Sequence, residues 1–288
     1  MGEGVAANRV GERVVMYYYV GCGSCRWCAQ KEEQLCPSLK AQLGFVSDGC
    51  LAQFLVAPER NAVVIPDSIS FEDAAPIGCS VTTAVHAAKL SRAAKGEWAA
   101  IYGVNGVGFG LVQLLKHKGL KVIAITRSAE RRAKAIELGA DVAIDATDPS
   151  GVAATVREAT GGEGADVIFE CVGRRETMDQ CVGWAGALGK RGRLVMVGYT
   201  AGEEHEFRLH PIPLIVYEQT VMGSVGATLE DLQESVNLVG SGVIKTLVDS
   251  VIPLGNFQLG LDKIKNSACV GKVVCIPPGV SSSSAGAS

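Results

Sequence analysis

Residues 97–119, EWAAIYGVNGVGFGLVQLLKHKG, decide the fold because they join an apolar run, a glycine-rich turn and an amphipathic stretch. The run before the turn is short and apolar, which predicts a buried strand, and the apolar positions after it recur at helical spacing. The turn nearly matches the pattern G-x-G-x-x-G of a dinucleotide-binding loop, with an asparagine at the middle glycine. We therefore expect the start of the helix to bind a pyrophosphate. The residues predicted to form this contact are Gly103, Asn105, Gly106, Val107 and Gly108.

The same order of elements repeats after this segment. Apolar strands are expected at residues 120–128, 141–145, 165–173 and 192–198, and helices at 129–140, 151–161 and 177–189. Strands that alternate with helices predict an α/β fold with a parallel, doubly wound sheet of the Rossmann type. A glycine motif alone is weak support for nucleotide binding, but inside such a series it becomes strong.

The end of the second strand carries no acidic residue. A site for NAD normally has Asp or Glu there, which binds the ribose hydroxyls. Here the strand ends in Thr126, Arg127 and Ser128, and Arg131 and Arg132 follow one turn later. Hydroxyl and guanidinium groups suit a 2′-phosphate, although arginines on a helix face often contact only solvent, and that reading stays open. We expect NADP in preference to NAD.

Composition and charge restrict the class of protein. The chain has 288 residues, of which 48% are hydrophobic and 20% are charged, with a formal net charge of −3. This charge gives no electrostatic reason to expect nucleic acid or an anionic membrane as a partner. The first residues lack the pattern of a secretory signal, and no apolar run has the length of a membrane span. We expect a cytoplasmic protein whose thiols stay reduced.

Four of the ten cysteines form a cluster in the sequence. Cys22, Cys25, Cys28 and Cys36 have the spacing C-x2-C-x2-C-x7-C. Four thiolates can surround one Zn²⁺ as a closed tetrahedron with no open position, which is typical of a structural site. An iron–sulfur cluster stays an alternative, because Pro37 follows the last cysteine.

Residues 10–36, VGERVVMYYYVGCGSCRWCAQKEEQLC, resemble the zinc-containing alcohol dehydrogenases of the medium-chain dehydrogenase/reductase family. In that family a VGDRV strand precedes a four-cysteine zinc lobe of this spacing. The resemblance continues at 74–88 (AAPIGCSVTTAVHAA) and 268–277 (ACVGKVVCIP), and it covers most of residues 2–277. It implies a chaperonin-10-like β-barrel catalytic domain beside the nucleotide domain.

The resemblance also implies roles for individual residues. Cys79 matches the third ligand of the family's catalytic zinc, and Thr83 lies where the family lines the nicotinamide pocket. Two strand ends match cofactor-lining segments and contribute Cys171, Val172, Val197, Gly198 and Tyr199.

The expected domains follow from these matches. Residues 1–79 form a partial catalytic domain with the zinc lobe at 20–37, and residues 80–224 form the dinucleotide-binding domain. Residues 225–276 return to the catalytic domain, and the Pro-, Gly- and Ser-rich residues 277–288 are expected to be disordered. A strand within 207–226 would supply the edge used for dimerisation, so the resemblance implies a homo-oligomer.

The other two ligands of the family's catalytic zinc, a cysteine and the histidine of a Gly-His-Glu segment, precede the residues matched by this chain. None of its four histidines lies in that context, and the opening strands of the barrel are expected to be missing too. The start MGEGV resembles the family's VGEGV, as it would if an internal GTG codon had been assigned as the start. We expect the genuine protein to begin upstream; a real shortened protein that binds cofactor without zinc chemistry is the alternative.

The function implied is that of an oxidoreductase that transfers hydride between NAD(P) and an alcohol, aldehyde or ketone. Two alternatives stay open. One is a zinc-independent quinone or enoyl reductase of the same superfamily, although such relatives usually lack the four-cysteine lobe. The other is a catalytically impaired fragment that only binds nucleotide.

Overall fold

The computed structural model describes residues 2–199, 206–207 and 209–279. The strands in chain order are β1 (Val14–Met16), β2 (Tyr19–Val20), β3 (Ala41–Gln42), β4 (Ala62–Val64), β5 (Trp98–Tyr102), β6 (Lys121–Thr126), β7 (Val142–Asp145), β8 (Ala165–Glu170), β9 (Leu188–Met196), β10 (Thr220–Gly223), β11 (Val248–Pro253) and β12 (Lys272–Ile276). The α-helices are α1 (Arg26–Ala29), α2 (Phe71–Ala74), α3 (Thr82–Ser91), α4 (Gly106–His117), α5 (Ala129–Glu137), α6 (Val152–Ala159), α7 (Arg175–Cys181), α8 (Pro211–Val216), α9 (Leu229–Gly240) and α10 (Phe257–Lys265). Among the described residues, none of these helices has the length and apolarity that a membrane crossing requires.

The chain divides into two compact units. The first unit contains Met1–Thr82 and Gly226–Ser288, and the second contains Thr83–Val225. The first unit is therefore discontinuous in sequence, and the second is inserted into it.

The second unit contains a six-stranded parallel sheet with the order β10-β9-β8-β5-β6-β7. The chain runs outward from β5 through β6 to β7, and then returns to the other side of β5 with β8, β9 and β10. The strand order thus reverses beside β5, which is the position where doubly wound sheets bind ligands. This topology confirms the predicted Rossmann-type sheet.

The core of the second unit forms because its central strands are apolar on both faces. Ala99, Ala100 and Ile101 of β5 are fully buried, as parallel strands covered by helices on both sides must be. The start of α4 packs closely on the turn after β5 and on the strand itself, since a Cβ atom on Gly108 would lie 2.5 Å from the carbonyl oxygen of Gly103 and 3.4 Å from Cγ2 of Ile101.

Two predicted elements differ from the structure. Within 207–226 the chain forms a helix, α8, before the short edge strand β10, because Pro211 and Pro213 cannot donate to a sheet but fit the first turn of a helix. The helix predicted at 177–189 ends at Cys181, and Gly183 follows in a left-handed conformation with φ 102°. Of the predicted tail at 277–288, residues 280–288 lie outside the described part of the chain.

The first unit is built from paired strands and helices. β1 pairs with β4 and β2 with β3, both antiparallel, whereas β11 and β12 are parallel. The buried Asn61 side chain donates hydrogen bonds of 2.7 Å to the carbonyl oxygens of Tyr17 and Tyr19, so it links the residue before β4 to the start of β2 and to the segment that precedes β2. The hydroxyl of Tyr17 donates to the carbonyl of Ala227 at 2.9 Å, which fastens the returning segment to the same core.

Candidate cofactor pocket and metal centre

A cavity of about 480 Å³ lies at the carboxyl ends of β5, β6 and β8 in the second unit. Its lining includes seven residues that the sequence predicts: Gly103, Asn105, Thr126, Arg127, Arg131, Cys171 and Val172. Seven other predicted cofactor residues lie outside this lining, namely Gly106, Val107, Gly108, Ser128, Val197, Gly198 and Tyr199. The structure thus brings together the end of β6, the glycine turn and the end of β8.

The glycine turn leaves no room for side chains at its first position. Gly103 has φ 94°, and a Cβ atom there would lie 2.5 Å from Cγ2 of Val172. Asn105, which replaces the middle glycine of the pattern, caps α4: its Oδ1 accepts from the amides of Val107 at 3.0 Å and Gly108 at 3.2 Å. Its Nδ2 donates to the carbonyl of Cys171 at 3.0 Å. Asn105 therefore ties the glycine turn to the end of β8.

The arginines after β6 have different environments. Arg132 forms an ion pair with Asp145 at 2.9 Å and donates to the carbonyls of Thr126 and Arg127, each at 2.9 Å. Arg132 is therefore engaged in closing the turn between β6 and α5. Arg127 and Arg131 line the cavity.

Ser128 has a local structural role. Its hydroxyl accepts from the amide of Arg131 at 3.3 Å and so caps α5. This contact explains why Ser128 lies outside the lining, since its side chain is directed to the helix start.

Glu170 is a buried acid next to the residues that line the cavity, and the sequence does not indicate its role. Its carboxylate accepts from the amides of Val172 and Gly173 at 3.0 Å and from the hydroxyl of Thr177 at 2.7 Å. Burial raises the pKa of Glu170, and these hydrogen bonds oppose the rise. The carboxylate thus holds the turn that carries Cys171 and Val172.

The end of β9 packs behind the same turn. The amides of Val197 and Gly198 donate to the carbonyl of Glu170 at 2.8 and 2.9 Å. A Cβ atom on Gly198 would lie 2.4 Å from the carbonyl carbon of Cys171, so only glycine fits this approach. Tyr199 is 81% exposed.

Sequence reasoning missed several lining residues at the strand ends. They are Tyr102, Val104, Ile125, Ala146, Thr147, Pro149, Arg174, Glu176 and Thr177. The rule that ligands bind beyond the carboxyl ends of parallel strands could have found the segments that follow β7 and β8.

The four clustered cysteines of the first unit form a metal-ligand set. Their sulfur atoms all lie within 4.8 Å of one another, and the closest pairs are Cys25–Cys28 at 3.5 Å and Cys25–Cys36 at 3.8 Å. Zinc–sulfur bonds of about 2.3 Å in a tetrahedron place the sulfurs about 3.8 Å apart, so these residues fit Zn²⁺.

Backbone amides surround the sulfur atoms. The Sγ of Cys22 accepts from the amides of Ser24 at 3.5 Å and Cys25 at 3.4 Å, and the Sγ of Cys36 accepts from the amide of Cys22 at 3.4 Å. Hydrogen bonds from the Ser24 amide and hydroxyl lower the pKa of the Cys22 thiol to about 6. Such bonds stabilise the thiolate form, which is the form that binds metals.

Comparisons with known proteins agree on one family. Residues 1–67 match the family described as "Alcohol dehydrogenase GroES-like domain", and residues 106–241 match "Zinc-binding dehydrogenase". An alcohol dehydrogenase of Geobacillus stearothermophilus is 33% identical over 278 residues, which are 95% of this chain and 78% of that protein. The chain belongs to the zinc-containing alcohol dehydrogenase family.

Solved structures of alcohol dehydrogenases share the fold. The enzyme from the archaeon Aeropyrum pernix superposes with a TM-score of 0.87 and 32% identity, covering 96% of this chain and 79% of that chain. A cobalt- and zinc-bound alcohol dehydrogenase from Pyrobaculum aerophilum has a TM-score of 0.80 and 28% identity, covering 94% and 77%.

Membership in the zinc-containing alcohol dehydrogenase family confirms the predicted fold class and activity class. The chain is an alcohol dehydrogenase-like oxidoreductase that transfers hydride between NAD(P) and an alcohol or carbonyl compound. The alternative of a quinone or enoyl reductase is not better supported by these relatives.

The remaining predicted site residues of this alcohol dehydrogenase-like chain lie in different units. Cys79 is exposed in a π-helical turn, Ile77–Val81, of the first unit, and Thr83 is buried in the part of α3 that belongs to the second. Within the described part of the chain, the four clustered cysteines are the one group of three or more metal-ligating side chains at binding distance. These described residues therefore do not fit a catalytic zinc at Cys79.

The histidines do not join Cys79 in a metal site of the described residues. His86 is buried in α3, and His117 is in the last turn of α4. His210 caps α8, with its Nδ1 accepting from the amide of Ile212 at 3.3 Å. His205 lies outside the described residues.

Proposed function

We propose that this alcohol dehydrogenase-like protein uses NADP in preference to NAD and that its four-cysteine lobe binds a structural zinc. The substrate is an alcohol or the corresponding aldehyde or ketone. Two observations together support the cofactor proposal: Arg127 and Arg131 lie in the cavity wall, and β6 ends without an acidic residue.

The charges at this end of the cavity favour a phosphate. Guanidinium groups bind phosphate oxygens with charge-assisted, often bidentate hydrogen bonds. The nearby acid Asp145 accepts from the Thr147 hydroxyl at 2.6 Å and forms an ion pair with Arg132 at 2.9 Å, and these contacts lower its pKa. Arg132 therefore offsets the carboxylate, while Arg127 and Arg131 stay at the cavity.

The structural role of the zinc is supported by the number and kind of its ligands. A closed set of four thiolates leaves no position for a substrate or water, which distinguishes structural from catalytic zinc sites. We also propose a cytoplasmic location, where the four thiolates that bind the metal would stay reduced.

The chain's own residues would bind and orient the cofactor. The nicotinamide nucleotide, when bound, supplies or accepts the hydride. Gly103 permits close approach of the backbone at the turn, and Asn105 and Glu170 hold the two walls in register. Thr83 remains our proposed position in the nicotinamide-pocket wall. Cys79 remains the proposed match to one ligand of the family's catalytic zinc, a ligand set that the other described residues do not complete.

The domain and assembly assignments also belong to the proposal. We assign residues 1–79 and 225–276 to the catalytic domain and residues 80–224 to the nucleotide domain, close to the two compact units. A homo-oligomer is supported by β10, which pairs on one side with β9 and has no partner on its other side among the described residues. Such an edge can pair with a second copy.

Titration of the purified chain with NADPH and NADH, followed by nucleotide fluorescence, tests the cofactor proposal. We expect tighter binding of NADPH, and the double variant Arg127→Ala/Arg131→Ala should weaken it by about 10- to 100-fold, as loss of charged hydrogen bonds would. NADH binding should change by less than about 3-fold. Arg191→Ala, which removes an exposed ion pair with Glu218, is the control. Equal loss of both nucleotides in the double variant would contradict the proposal.

A further inference from the structure

One carboxylate touches both ends of the cysteine lobe. Oε2 of Glu33 accepts from the amide of Gly21 at 2.7 Å, directly before the first cysteine of the set. Glu33 also begins the short 3-10 helix Glu33–Leu35, after which Cys36 supplies the last sulfur. A Cβ atom on Gly21 would lie 2.6 Å from Sγ of Cys28 and 2.8 Å from Oε2 of Glu33. The Gly21 backbone therefore packs closely against a ligand sulfur and this carboxylate, with no room for a side chain.

The same carboxylate is ion-paired with an arginine from outside the lobe. Oε1 of Glu33 accepts from Nη1 of Arg60, and the side chain of Glu33 is only 13% exposed. Arg60 is followed by Asn61, whose buried side chain donates to the carbonyls of Tyr17 and Tyr19. Arg60 thus extends from the strand framework of the first unit to the lobe.

Negative charge would exceed positive charge around the zinc-bound cysteines, Glu33 and Arg60. Four thiolates around one Zn²⁺ carry a net charge of about −2, and the Glu33 carboxylate adds a further negative charge nearby. Arg60 is the cation that contacts this carboxylate. The hydrogen bond with Glu33 raises the pKa of the Arg60 guanidinium, and the Cys28 thiolate adds to this effect.

We propose that Glu33 and Arg60 form a brace that slows the release of zinc from the four-cysteine lobe. Glu33 fixes the backbone before the first ligand, and Arg60 compensates the negative charge of Glu33 and the thiolates. The inference rests on the proposed zinc site. Because the negative charges outnumber the positive ones, we expect zinc to be released faster when Arg60 alone is replaced than when Glu33 and Arg60 are both replaced.

The test is the rate at which zinc leaves the purified full chain for the chromogenic chelator 4-(2-pyridylazo)resorcinol. Arg60→Ala should release zinc about 10- to 100-fold faster, because residues that support metal ligands typically contribute this much. Glu33→Gln keeps an oxygen that can accept from the Gly21 amide, so it should accelerate zinc release less than Arg60→Ala does. The double variant Glu33→Gln/Arg60→Ala should release zinc more slowly than Arg60→Ala. Arg60→Lys keeps the charge and should stay closest to the wild type.

The outcomes separate the brace from the zinc site itself. If the wild-type chain retains zinc but all variants release it at the wild-type rate, the brace is wrong and the zinc site stands. If the double variant is as fast as Arg60→Ala or faster, the charge argument is wrong. A wild-type chain that binds no zinc overturns both. Should Arg60→Ala fail to fold, faster zinc release from the double variant than from Arg60→Lys supports the brace, and wild-type rates in Glu33→Gln, Arg60→Lys and the double variant contradict it. Arg191→Ala serves as the control.

Discussion

The role of Glu170 can be recognised from its surroundings in the fold but not from the sequence around it. The side chain is fully buried at the end of β8, and its hydrogen-bond donors come from the turn that follows, whose path depends on Gly173 at φ 75°. No spacing in the sequence indicates this arrangement, because the donors are brought to the carboxylate by the fold. The four cysteines could be predicted because the ligand type and the spacing are both written in the chain.

Replacing Glu170 by Gln should weaken both the fold and the pocket. In Gln an N–H donor replaces the Oε2 that accepts from the amide of Gly173 at 2.9 Å, so two buried donors face each other, which costs about 1–3 kcal/mol. Urea denaturation measures the loss of stability, and nucleotide titration should show weaker binding because the turn at Cys171 and Val172 loosens. Glu218→Gln, on an exposed pair, is the control. Unchanged stability and affinity in Glu170→Gln would contradict this role.

At the scale of elements, periodicity predicted the order of strands and helices where local preference and tertiary packing agree. The strand, turn and helix from β5 to α4 follow from a short apolar run, a glycine turn and helical spacing. The predictions failed around 183–189 and 211–216, where glycine and proline overrule hydrophobic pattern. Backbone chemistry at these positions, rather than side-chain apolarity, decides where the elements end.

The turn between β5 and α4 offers a test of this close packing. Gly103→Ala would add a Cβ 2.5 Å from Val172 at a φ of 94°, whereas Gly161→Ala would meet nothing within 4 Å at a φ of 68°. Both variants carry the conformational cost of about 1–2 kcal/mol, and only Gly103→Ala adds a steric clash. We expect Gly103→Ala to lose more stability in urea and to bind nucleotide more weakly. Equal losses in the two variants would show that the approach to β8 is unimportant.

At the scale of the whole molecule, the four-cysteine lobe and the proposed nucleotide cavity belong to different units. Every residue that lines the cavity lies within Thr83–Val225, and the four clustered cysteines lie in the first unit. The return of the chain to the first unit near residue 226 was visible mainly through family resemblance, because composition does not change there. Because the proposed metal binding and nucleotide binding use residues of different units, we expect that one can be removed without loss of the other.

Removing the zinc should therefore destabilise the protein without abolishing nucleotide binding. Cys22→Ser/Cys36→Ser should lower the free energy of unfolding by about 4 kcal/mol or more, because loss of a structural metal is among the largest single-site effects. Calorimetry measures this change, and titration at low temperature should give a nucleotide affinity within about 2-fold of the wild type. Cys50→Ser, at an exposed thiol outside the lobe, is the control. A parallel loss of zinc and nucleotide affinity would contradict this separation.

Asn105 reduces the free energy that an anion can gain by binding at the start of α4. The amides of Val107 and Gly108 already have an acceptor in the side-chain oxygen of this residue. A phosphate that approaches them must exchange one oxygen acceptor for another, so the favourable free energy is a difference between two similar interactions and not the full value of new hydrogen bonds. Affinity at this turn can thus be adjusted through one side chain while the glycines that shape the backbone stay unchanged.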